Sequence, residues 1–218
     1  MPKVKIPRKS TNIDMTAMCD VAFLLLSFFI MATKQKPPEA ITVQTPSSIS
    51  SEVAKEKAIL VTLNKDGKVF LMLGDKTKKD EILSEMNTFK QLQLSPAEMT
   101  KLKAADFIGV PFAQLKSALD NDIKPDQMPG IPCVDSANNE LRDWMRVITN
   151  AYQGTKKEDF ELLVKGDNLA KYPAFKNIID AFQANNQLRF KLVTNPEGLP
   201  TESEYYKNHV INKSADEK

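Results

Sequence analysis

The chain has 218 residues, of which 30 are lysine or arginine and 28 are acidic, so its formal net charge is only +2. A charge so nearly balanced gives no argument for nucleic-acid binding. Two cysteines exclude a disulfide-rich scaffold, and no cysteine or histidine spacing supports a metal site or a cofactor.

The first 12 residues form a predicted basic tail. Lys3, Lys5, Arg8 and Lys9 precede an apolar run, and no acid occurs before Asp14. Cationic residues beside a membrane span stay on the cytoplasmic side. The pattern therefore predicts a cytoplasmic amino terminus, with everything after the span on the other side of the membrane.

The apolar run predicts one transmembrane helix over residues 13–33, which is the length of about 20 residues that a bilayer requires. The alternative is a cleaved signal peptide, because the run follows a basic start. Against cleavage, Asp20 interrupts the run, and residues 29–32 lack the small-x-small pattern of a cleavage site.

Asp20 is the most informative residue, because an ionised carboxylate within a membrane costs roughly 2.5–3.5 kcal/mol or more. That cost is tolerable only where the carboxylate faces protein or water. Helical spacing puts the hydroxyls of Thr16 and Ser27 on its side, and we expect these three residues to form a proton relay. Ala17 and Leu24 share that side as expected helix-packing residues. The alternative is a structural Asp20 that pairs with a polar partner.

Residues 34–57 read as a linker, broken by a proline pair and rich in serine. Within it, residues 40–45 alternate apolar and polar side chains, so this stretch could add to a sheet as a strand. Ile41, Val43 and Thr45 lie on one side of such a strand and are the expected partner-binding residues.

The remaining pattern predicts a small α/β sandwich, and the fold class is therefore α+β. Residues 58–63 and 68–72 flank an Asp-Gly turn and predict a hairpin, and residues 160–164 and 188–193 predict two further strands. Residues 173–184 predict an amphipathic helix between them.

Residues 74–157 are mostly helical in pattern and interrupt the sandwich. Helices are predicted over 80–92, 95–103, 111–119 and 137–152, with Ser95 as the cap of the second. The whole domain is expected over residues 58–200, and the polar residues 201–218 are expected to form a flexible tail. Cys133 is expected to be a buried thiol, the alternative being a bridge to another chain.

The span resembles the ExbD/TolR family. Residues 13–21 read IDMTAMCDV, against the family's INVTPFIDV, so Thr16, Asp20 and Val21 match at the correct spacing. Asp14, Ala17 and Cys19 are departures from that pattern. Residues 41–46, 58–70 and 160–193 resemble the family's periplasmic elements, whereas 74–157 has no counterpart in the compact pattern and reads as an insertion of open role.

The resemblance implies a subunit of an inner-membrane motor that uses the proton-motive force. Its implied partners are a second copy of the chain, an ExbB/TolQ/MotA-like multi-span ring subunit, membrane lipid, and a TonB/TolA-like periplasmic protein. The domain after the span would be periplasmic. A rival interpretation is a membrane-tethered periplasmic binding module. An enzyme is not expected, because the sequence offers no nucleophile–base pair or phosphate loop.

Overall fold

The computed structural model describes residues 15–33, 41–50, 55, 57–121, 123–134, 138–154 and 160–197. The chain divides into two units, Met1–Pro38 and Glu39–Lys218. The tails predicted for residues 1–12 and 201–218 lie outside the described residues, as do residues 34–40, 51–54 and 56 of the expected linker.

The first unit contains helix α1, Met15–Ala32. Among the described residues it is the one helix long and apolar enough to cross a membrane, by length and composition. Its 18 residues extend about 27 Å at 1.5 Å each, close to the thickness of a bilayer's hydrocarbon core. The helix ends where the Thr33 hydroxyl donates hydrogen bonds to the carbonyl oxygens of Phe29 and Ile30.

The second unit mixes strands and helices, which confirms the α+β class. In chain order its elements are β1 (Ser47–Ser48), β2 (Ile59–Leu63), β3 (Val69–Leu73), α2 (Lys76–Lys90), α3 (Pro96–Ala104), α4 (Phe112–Asp120), α5 (Glu140–Ala151), β4 (Leu162–Gly166), α6 (Tyr172–Gln183), β5 (Lys191–Leu192) and β6 (Asn195–Pro196). A short 3-10 helix covers Pro125–Gln127.

Four strands form the main sheet in the order β3-β2-β4-β5. The predicted hairpin is confirmed, because β2 and β3 pair antiparallel with Ile59 opposite Leu73. In its turn, Asn64 Oδ1 accepts a hydrogen bond from the backbone N–H of Asp66, and Gly67 takes a positive φ of 80°. Strand β4 lies parallel to both β2 and β5.

Strand β5 is shorter than the predicted strand over 188–193. Lys191 lies opposite Leu163 and Leu192 opposite Val164, and in this register the residues before Phe190 extend past the first residue of β4. After Val193 the chain separates from β4, and β6 pairs parallel with β1 instead.

Helices α2 to α5 occupy the region where four helices are predicted. The predicted Ser95 cap is confirmed, because its side chain accepts from the Glu98 N–H while the Glu98 carboxylate accepts from the Ser95 N–H. Helix α2 begins before the predicted start at Asp80, because Asp75 caps it by accepting from the Thr77 N–H at 3.0 Å.

The segment 74–157 covers the outer edge of β3. Leu71 exchanges two backbone hydrogen bonds with Ile108, both 2.8 Å, and the Ile131 N–H donates to the Val69 carbonyl at 2.8 Å. The helical segment and the sheet also share one hydrophobic core, whose largest buried side chains include Trp144, Phe182, Ile59, Leu71, Ile82 and Met86. The sheet and these helices are therefore one packed body.

Candidate functional site

The candidate site is the side of α1 that carries Asp20. No residue of α1 is buried, and Asp20 is itself exposed. Asp20 is also the one ionisable carboxylate between Met15 and Ala32. In a membrane its surroundings must therefore come from other chains or from water, because lipid cannot satisfy a carboxylate.

The helix sets which residues accompany Asp20. At about 100° per residue, Thr16, Ala17, Leu24 and Ser27 all fall within about 60° of it. Ser27 is the one half-exposed residue of α1, and the other three are exposed. The side chains proposed for the relay and for packing therefore share one side of the helix.

Phe23 also lies on this side, because it is three residues after Asp20. Phe23 is absent from the predicted packing residues, which include Leu24 at four residues after Asp20 but not the residue three after it. A neighbouring helix that approached Asp20 closely would therefore meet an aromatic ring beside the carboxylate as well as the small side chain of Ala17.

Distance along the axis limits what the two hydroxyls can do. Thr16 lies one turn before Asp20, roughly 6 Å along the axis, and Ser27 lies roughly 10 Å after it. Ser27 is therefore too far for a direct hydrogen bond to Asp20. A proton moving between them would need an intervening water molecule or a group from another subunit.

The second candidate region is the segment of residues 41–50. Its backbone bonds to its own domain, because the Gln44 carbonyl accepts from the Asn168 N–H at 2.8 Å and the Gln44 N–H donates to the Asp167 carboxylate at 3.3 Å. The Pro46 carbonyl accepts from the Asn195 N–H at 2.9 Å. These contacts join residues more than 100 positions apart, so no local signal in the sequence could reveal them.

The strand expected at residues 40–45 lies slightly later, at Ser47–Ser48, because that is where a neighbouring strand, β6, is available. The side chains of Val43 and Thr45 are buried, and Ile41 packs against the cluster formed by Phe70 and Phe107. All three residues expected to bind a partner thus face this chain's own domain in the structure.

Cys133 is a buried free thiol, as predicted from the sequence. Its Sγ lies 3.5 Å from Asn139 Oδ1, and burial raises the pKa of the thiol to about 12. Such a group is almost entirely protonated near neutral pH and is a poor nucleophile. Within the described part of the chain, no cluster of three or more histidine, cysteine or acidic residues could hold a metal ion.

Comparison with known proteins identifies the family of this chain. The family model described as "Biopolymer transport protein ExbD/TolR" matches residues 7–197, which is most of the chain and includes both candidate regions. No curated protein and no solved structure matches the chain. Family members are membrane-anchored, and they generally work with ExbB/TolQ and TonB/TolA partners. The chain belongs to the ExbD/TolR family of biopolymer transport proteins.

Proposed function

We propose that this protein is the subunit of an inner-membrane motor in which Asp20 takes up and releases protons. The observation that carries the proposal is the single carboxylate on an otherwise apolar helix, in a chain of this family. Such a residue is costly in a membrane and is retained where its charge is used.

The proposed topology is a single pass, with the amino terminus in the cytoplasm and the second unit in the periplasm. The four cations among the first nine residues support this orientation, because cytoplasmic segments next to a span are enriched in lysine and arginine.

The proposed mechanism couples protonation of Asp20 to movement of the span. Two copies of α1 would lie inside a ring of ExbB/TolQ/MotA-like subunits, which would supply polar groups around Asp20 in addition to Thr16 and Ser27. One proton crossing the membrane releases roughly 2.3 kcal/mol per 100 mV. That free energy can shift a two-state equilibrium by more than tenfold, provided that the two states bind the proton with different affinity.

The movement would then pass to a TonB/TolA-like periplasmic protein. Strand addition by residues 40–45 is the proposed mode, since backbone pairing can transmit force without requiring a particular side chain. Because Ile41, Val43 and Thr45 face their own domain, their contact with a partner would require this segment to leave its place. The bonds that would break are those at Gln44 and Pro46.

The test replaces Asp20 with asparagine, which keeps the size and removes the ionisable group. The variant is co-purified with an ExbB/TolQ-like ring protein and reconstituted into liposomes, where a pH-sensitive dye reports proton flux. Since the side chain can no longer bind and release a proton, flux should fall at least about tenfold while the complex still assembles.

Asp14→Asn is the matched control, because it makes the same change to an acid that the sequence places at the membrane edge; its flux should match the wild type. Normal flux and transport in Asp20→Asn would instead favour the tethered binding module with a structural Asp20. Failure of the Asp20→Asn complex to assemble would point to the same structural role.

A further inference from the structure

A groove in the second unit lies where the helical segment meets the sheet. It has a volume of about 1010 Å³ and is formed by the end of α5, the residues that begin β4, and residues 186–191. This volume lies at the upper end of the range of about 300–1,000 Å³ in which drug-sized ligands bind. The groove can therefore hold several residues of a peptide.

The groove has an apolar and aromatic surface. The rings of Tyr152 and Phe160 lie 5.0 Å apart, and Leu188 is 71 % exposed at the groove. A large apolar side chain this open to solvent is informative when it adjoins a concave site, because it offers contact area to a ligand. An occupant with an aromatic or large aliphatic side chain would remove this surface from water.

The charges of the groove select the sign of the occupant. Among the described residues of the lining, Lys55, Arg189 and Lys191 stand with one carboxylate, Glu161, so these four side chains carry a net charge of +2. Glu161 is buried, and its carboxylate already accepts a hydrogen bond from Lys191 Nζ at 2.7 Å. This bond lowers the pKa of Glu161 and engages Lys191. All three cations are exposed, and Arg189 is the one whose planar guanidinium can bind a carboxylate through two parallel hydrogen bonds.

Amide side chains complete the lining. Gln153, Asn186 and Gln187 border the groove, and the Gln187 Nε2 donates to the Thr149 hydroxyl at 3.3 Å. Side-chain amides can both donate and accept, which suits the alternating N–H and C=O groups of an extended backbone. A peptide thus fits the lining better than a simple ion or a wholly apolar molecule.

We propose that this groove binds an extended segment of a partner protein in which acidic residues stand beside aromatic or large aliphatic ones. Arg189 would bind the carboxylate, and Leu188 with the Tyr152–Phe160 pair would contact the apolar side chain. The described lining of this site belongs to the second unit, and its proposed role does not depend on proton transfer.

The test uses the full chain in nanodiscs of zwitterionic lipid and a short fluorescein-labelled peptide in which glutamate and tyrosine alternate. Fluorescence anisotropy measures binding, with empty nanodiscs as the blank. Wild-type protein should bind saturably, and Arg189→Glu should weaken binding at least about tenfold, because it puts a like charge against the peptide. Lys124→Glu makes the same charge change at an exposed residue outside the groove and should bind as the wild type does.

A second pair of variants tests the apolar contact without threatening the fold. Leu188→Ser should weaken binding by about threefold. Leu169→Ser is its control, since Leu169 is 70 % exposed but lies outside the groove.

Three results would overturn the proposal. One is equal binding by Arg189→Glu and Lys124→Glu, and another is equal binding of a peptide with glutamine in place of glutamate. The third is a large gain in affinity on removal of residues 198–218, which include Glu202 and Glu204. That gain would mean that the chain's own end competes for the groove and is its natural occupant.

Discussion

Asp20 and Glu161 differ in how far the sequence alone reveals them. Asp20 stands out because the residues near it in the chain are uncharged, so it can be identified from the sequence alone. Glu161 is unremarkable in sequence, and its importance arises from Lys191 and the backbone of Lys55, which approach it from 30 and 106 positions away. These residues come close to Glu161 because of the order of the strands in the sheet, and that order cannot be predicted from local patterns in the sequence.

Glu161 should make the stability of the protein depend on pH. Lys191 first, and then the Lys55 N–H, hold the pKa of Glu161 below its ordinary value of 4.5. Its stabilising contribution is thus complete above that value and is lost as the pH falls through the lower, folded-state pKa. We expect Glu161→Gln to lower the free energy of unfolding at pH 7 more than at pH 3, as measured by urea denaturation of the purified chain.

Glu197→Gln is the control for this prediction, because Glu197 is exposed. Its effect on the free energy of unfolding should be small at both values of pH. An equal loss of stability at pH 7 and pH 3 for Glu161→Gln would show that the contribution of this carboxylate does not depend on its charge.

Among the elements, those with local signals could be predicted from the sequence. The hairpin β2–β3 and the cap of α3 were predicted because their turn and capping residues lie within a few positions of one another. β1 lies later than predicted and β5 is shorter than predicted, because the place and extent of each depend on pairing with a strand that is remote in the chain.

The side-chain cap at the start of α3 should contribute to the stability of the protein. Ser95→Ala removes the side chain that accepts from the Glu98 N–H, one of the free donors at the start of the helix. The free energy of unfolding should fall by about 1 kcal/mol, within the usual range for such caps. Urea denaturation followed by circular dichroism would measure the change.

Thr100→Ala is the comparison within the same helix. Thr100 is exposed, and its hydroxyl donates only to the Pro96 carbonyl of its own helix, so alanine should leave stability nearly unchanged. If the two variants lost the same amount, the cap would have no special role and the loss would reflect helix propensity alone.

Over the whole molecule, the sequence predicts a domain with a helical region but not that this region and the sheet share one core. Helical periodicity identifies which face of a helix is apolar, but not which surface covers that face. Ile108 and Ile131 form single bridges to β3 and do not belong to regular strands, so the alternation typical of a strand could not predict them.

A substitution at Gly109 tests how closely the helical segment packs against the sheet. A Cβ atom at Gly109 would overlap the buried ring of Phe70 on β3. Gly109→Ala should therefore lower the free energy of unfolding by about 1–3 kcal/mol, the usual cost of overpacking. Thermal and urea unfolding would measure the loss.

Gly166→Ala is the matched control, since a Cβ atom there would meet nothing within 4 Å. It should leave stability unchanged or raise it slightly, because alanine restricts the unfolded chain more than glycine does. Unchanged stability of the Gly109→Ala variant would mean that the segment around Ile108 does not pack tightly against the Phe70 ring of β3.

The coverage of β3 has a consequence for assembly. With that edge of the four-stranded sheet already hydrogen-bonded, β5 is the other edge within the described residues, and a second copy that extended this sheet would have to pair there. In a dimer paired through β5, the outer edges of the joined sheet would be the two β3 strands, which are already covered. The sheet could therefore not extend beyond two copies. The same polypeptide with both margins open could polymerise without limit.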